Sequence, residues 1–200
     1  MLKFTIGLPA YNEQTTVRNV AEMVSDGLLR SNVAPQDADI VLIDSDSSDA
    51  TVAEFEAAKL AFSRQVLIIK EGIRGKGINL IKFLERAKSI EAENALMFDA
   101  DLVSITADWI HRYVARLMEG LDYVTPSYSR NKYEGSATNH LAFPVIYATS
   151  GRYIRQPIGG DFALSRKFYE HLLEQERHPD TLKYGIDMAS TPFLKHIARR

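Results

Sequence analysis

Ala95-Leu96-Met97-Phe98-Asp99-Ala100-Asp101 is a run of four apolar residues halted by two aspartates, and the arrangement recurs upstream. Phe4-Thr5-Ile6-Gly7-Leu8 runs into Pro9-Ala10-Tyr11-Asn12-Glu13. Asp39-Ile40-Val41-Leu42-Ile43 runs into Asp44-Ser45-Asp46-Ser47-Ser48-Asp49, and Val66-Leu67-Ile68-Ile69 into the loop 71–77. Short continuous apolar runs are expected of strands buried on both faces. Between them the apolar spacing becomes helical. This holds over 15–29 (Val17, Val20, Ala21, Val24, Leu28), over 51–62 behind Asp49 as candidate N-cap, and over 78–87. Strand alternating with helix predicts an α/β fold: a mostly parallel sheet with helices on both faces, built as a single domain.

The remainder of the chain is less periodic. Trp109 to Met118 reads as an amphipathic helix and Tyr123 to Tyr128 as a strand. Residues 129–156 read as a long polar and aromatic loop, a length more often functional than idle. Gln156 to Asp161 is expected to be a tight loop, Ser165 to Gln175 a helix, and Lys183-Tyr184-Gly185-Ile186-Asp187 the start of a last helix.

Composition narrows the chemistry. With 24 Lys and Arg against 26 Asp and Glu the net charge is −2, so no basic field draws the chain to nucleic acid, and an anionic ligand needs local donors. The absence of cysteine excludes disulfides, thiolate metal sites and thiol catalysis. Met1 to Gly7 runs straight into a strand without the pattern of a signal peptide. No apolar run approaches the ~20 residues of a membrane helix. The expectation is a cytoplasmic protein, and a homodimer is left open.

In sheets of this kind ligands bind at the carboxyl ends of the strands. Four such ends are polar here, with carboxylates among them. Asp99 and Asp101 together could hold one hard divalent cation, with substrate phosphates completing its shell. They could equally be aspartates of a turn. Arg74-Gly75-Lys76-Gly77 opens a helix with freed backbone N–H groups and a point charge, which suits an anion. A basic surface turn is the alternative. This loop is not the nucleotide-hydrolase phosphate loop, which requires Gly where Lys70 stands and Ser or Thr where Gly77 stands. The hydroxyls and carboxylates of 44–51 could meet a base or ribose, or simply cap a helix. Pro157-Ile158-Gly159-Gly160-Asp161 allows a ligand close to the backbone, or is a β-turn. The five histidines show no paired metal spacing. The helical aromatics Trp109, Tyr113, Phe168 and Tyr169 are expected in the core.

Taken in order, Leu8-Pro9-Ala10-Tyr11-Asn12-Glu13, Asp44-Ser45, Gly75-Lys76-Gly77 and Asp99-Ala100-Asp101 resemble the GT-A (Rossmann-like) nucleotide-sugar glycosyltransferases. Phe98 to Leu102 with Ala107-Asp108-Trp109-Ile110, then Gln156-Pro157-Ile158-Gly159-Gly160 and Tyr184-Gly185-Ile186-Asp187, are similar to the mannosylglycerate and glucosyl-3-phosphoglycerate synthases within that fold. The resemblance implies a retaining hexosyltransferase. Its donor would be a UDP- or GDP-hexose, its acceptor glycerate or 3-phosphoglycerate, and its cofactor Mg²⁺ or Mn²⁺. It implies that Pro9, Ala10, Glu13, Asp44 and Ser45 line the nucleoside pocket and that Lys76 touches the diphosphate. Asp101 would ligate the metal, with Asp99 on the ribose or the metal. Gly159, Gly160 and Asp187 would face sugar and acceptor, with Asp101 and Asp187 the candidate catalytic carboxylates. Arg130 would grip an acceptor carboxylate, which a planar guanidinium suits. Residues 1–102 would form a nucleotide-binding half and 103–200 an acceptor-binding half. The family's metal site ends in a histidine some two dozen residues past the position of Asp187, beyond Arg200, so the expectation is a domain truncated at its C-terminus. The alternatives are an inverting enzyme acting on a polyprenyl phosphate or glycan, with Asp187 as base, a nucleotidyltransferase, and a non-catalytic nucleotide-sugar-binding domain.

Overall fold

The computed structural model describes residues 2–70, 75–129, 133–151 and 153–176. Arg74, Arg130 and the segment carrying Tyr184 to Asp187, with the expected last helix, lie outside them. The elements in chain order are β1 (Phe4–Ala10), α1 (Val17–Arg30), β2 (Ala38–Asp44), α2 (Thr51–Glu56), β3 (Ser63–Ile68), α3 (Lys76–Ser89), β4 (Asn94–Phe98), α4 (Ala107–Met118), β5 (Tyr123–Val124), α5 (Phe143–Ser150), β6 (Asp161–Ser165) and α6 (Arg166–Glu174).

They build one six-stranded sheet in the order β3-β2-β1-β4-β6-β5. The first four strands in that order are mutually parallel, and β6 runs antiparallel to both β4 and β5. Alternate strand residues feed two cores. Phe4, Ile6, Leu8, Ile40, Leu42, Leu96 and Phe98 pack with α1, α2 and α4. Val41, Ile43, Ala95, Met97, Phe162 and Leu164 pack with α3 and α6. Helices therefore cover both faces, as the continuous apolar runs require. Gly27 lets α1 and α4 touch, because a Cβ there would sit 2.4 Å from that of Ile110. Among the described residues no helix is long and apolar enough to cross a membrane.

Four expectations need correction. The helix expected over 51–62 stops at Glu56, because the Arg64 guanidinium reaches back to the carbonyls of Phe55, Glu56 and Ala58 and satisfies the chain end. Asp49 does not occupy the cap position, which Ala50 fills, although its carboxylate still accepts the Thr51 backbone N–H at 3.0 Å. The strand expected over 123–128 is confined to Tyr123–Val124, since Pro126 has no N–H to offer a ladder. Residues 129–156 contain a π-helical turn, Ala137–Ala142, leading into α5, and the segment after Gly160 enters the sheet as β6.

Candidate functional site

The carboxyl ends of β1, β2 and β4 open onto a cleft of about 340 Å³, a size typical of small-ligand sites. Pro9, Ala10, Tyr11 and Glu13 line it from β1, Ser45 from β2, and Gly75, Lys76 and Asn79 from the first turn of α3. Asp99, Ala100 and Asp101 line it from the end of β4. Seven residues singled out from sequence thus meet in one place: Pro9, Ala10, Glu13, Ser45, Lys76, Asp99 and Asp101.

The two loops on the β1–β2 side are stitched together. Ser47 Oγ accepts the Asn12 N–H at 2.9 Å, and Asn12 Oδ1 accepts that of Ser48 at 2.9 Å. Thr51 Oγ1 accepts the Glu13 N–H at 2.7 Å. Asn12 and Asp46 hold left-handed backbone conformations, φ 58° and 61°, which Asn and Asp tolerate best among side-chain-bearing residues. Asp44 lies beneath this wall. It is buried, and its carboxylate accepts the Ser47 N–H at 2.8 Å and the Ser47 hydroxyl at 2.6 Å. Asp44 therefore shapes the loop, while Ser45 reaches the cleft. The buried Ser45 hydroxyl accepts from Asn79 Nδ2 at 2.9 Å, joining β2 to α3.

On the opposite wall Lys76 stands at the start of α3, where the positive end of the helix dipole adds to its charge. Its ammonium lies 3.1 Å from Asp99 Oδ1 and donates to the Gly159 carbonyl at 2.7 Å. The Asp99 N–H donates to the Gly160 carbonyl at 2.7 Å, and a Cβ on Gly160 would sit 2.6 Å from Asp99 Oδ2. The Gly159–Gly160 turn is thus pressed onto the Asp99–Lys76 pair, and a side chain at position 160 fits only if the Asp99 carboxylate turns aside. Asp101 is exposed at the rim.

The donor set bears on a metal. Among the described residues no three His, Cys, Asp or Glu side chains gather to hold an ion. Asp99 and Asp101 alone supply two carboxylates. Such a pair fits a hard divalent cation of the Mg²⁺ type, which is commonly held by one or two carboxylates with substrate phosphates and water completing its shell.

One buried carboxylate behind the Gly159–Gly160 turn makes contacts that its sequence motif did not disclose. Asp161, the first residue of β6, is 1% exposed and accepts hydrogen bonds from Trp109 Nε1 at 2.7 Å, from the Tyr113 hydroxyl at 2.6 Å and from the Tyr128 hydroxyl. Burial, with the neighbouring Asp161 charge, pushes the Tyr113 hydroxyl far above its ordinary pKa and keeps it a donor. The available signal was Phe162-Ala163-Leu164, a short apolar run between Gly-Gly and Ser, together with aromatic residues whose N–H and O–H groups need partners when buried.

Comparison with known proteins places this geometry. The Glycosyl transferase family 2 model matches residues 5–180. Glucosyl-3-phosphoglycerate synthase of Petrotoga mobilis is 26% identical over 203 residues, covering 94% of this chain and 59% of that protein. Mannosylglycerate synthase of Selaginella moellendorffii is 29% identical over 124 residues, covering 59% of this chain and 29% of that protein. The chain thus spans well under two thirds of the length of these curated relatives. The structure of Mycobacterium tuberculosis glucosyl-3-phosphoglycerate synthase in complex with Mn²⁺, UDP and phosphoglyceric acid superposes with a TM-score of 0.72 at 23% identity, covering 94% of this chain and 62% of that one. A structure of the same enzyme with Mg²⁺ and UDP gives 0.69 at 24% identity, covering 94% and 63%. These neighbours share the fold, a GT-A sheet with helices. With its motifs at the strand ends and a family match over most of its length, the chain belongs to glycosyl transferase family 2.

Proposed function

We propose that this chain binds a nucleoside-diphosphate hexose and transfers the sugar, with retention of anomeric configuration, to a small glycerate-type acceptor. The observation that carries the reading is the cleft in which Lys76, Asp99 and Asp101 face the Glu13 and Ser45 loops, with the Gly159–Gly160 turn closing one side. The named ligands of the Mycobacterium tuberculosis neighbour, UDP with Mn²⁺ or Mg²⁺ and phosphoglyceric acid, support the same chemistry here. So do the names of the two relatives.

In this reading residues 1–102 form the donor half, and 103–200 contribute the acceptor half. Pro9, Ala10, Glu13 and Ser45 hold the nucleoside, with Asp44 fixing their loop. Lys76 and the positive end of α3 hold the diphosphate. Asp99 and Asp101 would hold Mg²⁺ or Mn²⁺, which supplies charge neutralisation to the diphosphate when bound. The bond between the anomeric carbon and the phosphate oxygen breaks with its electron pair going to the diphosphate, where Lys76 stabilises the charge. The acceptor hydroxyl attacks the same face, and its proton passes to the departing phosphate, so no strong base is needed. Gly159 and Gly160 leave backbone close to sugar and acceptor. Arg130 grips the acceptor carboxylate and Asp187 orients its hydroxyl, two roles carried from the resemblance alone. Donor and acceptor are both water-soluble, which suits a cytoplasmic reaction.

The test incubates the protein with UDP-glucose or GDP-mannose, Mn²⁺, and glycerate or 3-phosphoglycerate, and reads the anomeric proton of the product by NMR. An α-linked product from the α-linked donor is expected. A β-linked product overturns retention and favours an inverting enzyme. Release of pyrophosphate in place of nucleoside diphosphate indicates a nucleotidyltransferase.

A further inference from the structure

Asp161 is a buried carboxylate with three side-chain donors, and the proposed mechanism does not use it. It stands at the first position of β6, where its backbone pairs with Phe98, the residue before Asp99. Its two oxygens gather donors from two further parts of the chain. Trp109 and Tyr113 come from α4, and Tyr128 from the segment after β5. All three donors are neutral. A buried carboxylate satisfied only by neutral groups keeps its position only while those groups keep theirs.

Each contact leads back to the cleft. The two residues before Asp161 are Gly160, whose carbonyl accepts the Asp99 N–H, and Gly159, whose carbonyl accepts the Lys76 ammonium. Tyr128 fixes the 125–129 segment, its ring 5.5 Å from that of Trp109, and Thr125 Oγ1 donates to the Gln156 carbonyl at 2.8 Å. The Asp161 carboxylate thus sits where α4, the post-β5 segment and the Gly-Gly turn converge on Asp99. The turn lies tight on Asp99, since a Cβ on Gly160 would stand 2.6 Å from Asp99 Oδ2 and displace that carboxylate. A small shift of the β6 start would be passed directly to Asp99 and Lys76.

We propose that Asp161 is a positioning residue that fastens the Gly159–Gly160 turn and the 125–129 segment against Asp99 and Lys76, and so sets how the acceptor side of the cleft meets the bound donor. This rests on the transferase reading in one respect: that reading names the turn as the acceptor side. The link from Asp161 to Asp99 does not depend on it.

The chain has one tryptophan, Trp109, and its indole N–H is bonded to Asp161, so intrinsic fluorescence reports on this constellation. The experiment compares wild type, Asp161→Asn and Tyr128→Phe. Tyr128→Phe removes one donor at a partly buried position and keeps the ring, so it guards against loss of fold in the first variant. Urea midpoints, UDP and GDP affinity with Mn²⁺, Trp109 emission with and without nucleotide, and the KM and kcat for 3-phosphoglycerate are measured. In wild type, nucleotide binding is expected to change Trp109 emission, although Trp109 does not line the cleft. In both variants that change is expected to be at least halved. Nucleotide affinity should stay within about threefold of wild type in Tyr128→Phe, while kcat/KM for the acceptor falls about tenfold or more. If nucleotide-induced emission changes are the same in wild type and Tyr128→Phe, or if all losses track the urea midpoint, the proposal is overturned. If wild type transfers no sugar yet the emission coupling is lost in the variants, the positioning role stands and the acceptor reading fails.

Discussion

The Lys76 ammonium lies 3.1 Å from both carboxylate oxygens of Asp99, a bridge between the start of α3 and the end of β4 across the mouth of the cleft. Neither side chain is deeply buried, at 17% and 29% exposure, so the pair is worth little to the fold. In the proposed function its importance is to ligand binding: a cation tethered beside two carboxylates would keep the site from being purely acidic and let a diphosphate approach.

From this pair, Lys76→Ala is expected to weaken UDP or GDP about tenfold or more and the bare nucleoside by less than about threefold, since a charge-assisted hydrogen bond contributes about 1.5–3 kcal/mol. Titration calorimetry with nucleoside, monophosphate and diphosphate separates the two losses. Equal weakening of all three would make Lys76 a structural residue.

Asp101 is exposed and lies past the end of β4, so Asp101→Ala should leave the urea midpoint of the free protein within about 0.5 kcal/mol of wild type. Wild type with nucleotide sugar and Mn²⁺ at 100 times the dissociation constant should gain about 2.7 kcal/mol. The variant should lose the part of that gain that depends on Mn²⁺. A thermal-shift series with and without Mn²⁺ reads this directly, and an unchanged Mn²⁺-dependent shift would remove Asp101 from the metal role.

Gly160→Ala tests the tight turn. The new Cβ would lie 2.6 Å from Asp99 Oδ2 and 3.1 Å from its Cγ. The carboxylate is the mobile end of a side chain and can turn aside, so the expected cost to stability is under about 1 kcal/mol. Turning aside takes Asp99 away from Lys76, so diphosphate affinity should fall several-fold. Wild-type affinity in Gly160→Ala would show that the orientation of Asp99 does not matter for the donor.

Tyr169 supplies a pH signature remote from the cleft. Burial raises its hydroxyl pKa to about 12, and the hydroxyl donates to the Ala92 carbonyl at 2.5 Å. In the unfolded chain tyrosine ionises near 10. The protonated form is therefore favoured by folding: the contribution is complete below about pH 10 and is lost as pH rises toward about 12. Tyr169→Phe should lower stability by about 1 kcal/mol at pH 8 and flatten the alkaline limb between pH 10 and 12. Urea melts at pH 8, 10 and 11.5 check both arms.

Much of this architecture is legible in the sequence because burial on both faces leaves a strong imprint. The runs ending at Ala10, Asp44 and Phe98 are strands, and the periodic segments between them are helices, within a few residues at each end. Pro9, Glu13, Ser45, Lys76, Asp99 and Asp101 could be read as one site because a parallel sheet brings successive strand ends to one edge. β6 was hidden because Asp161-Phe162-Ala163-Leu164-Ser165 is short, and its pairing with Asn94–Phe98 is set by residues some 67 positions away. The partners of Asp161 were hidden for the same reason: Trp109 and Tyr113 read as core aromatics of a helix and Tyr128 as the end of a strand, but sequence periodicity says nothing of where an indole N–H or a phenol points. The end of α2 was missed because its stop is the Arg64 side chain on the following strand.

The position of β6 also governs how the chain assembles. β4 lies between β1 and β6, and β6 is the last strand in the described chain. Until residue 165 has been made and docked, β4 is an outer strand with an open backbone ladder and apolar residues from Ala95 to Phe98. Such an edge invites pairing with another chain. A nascent or proteolysed fragment ending near residue 150 should therefore be prone to aggregation even though it holds the residues that line the cleft. Closure depends on a contact between residues far apart in sequence, a slow event in folding, and it is the same event that brings the Gly-Gly turn onto Asp99. The cleft is thus completed on both sides only when the sheet has no exposed central edge.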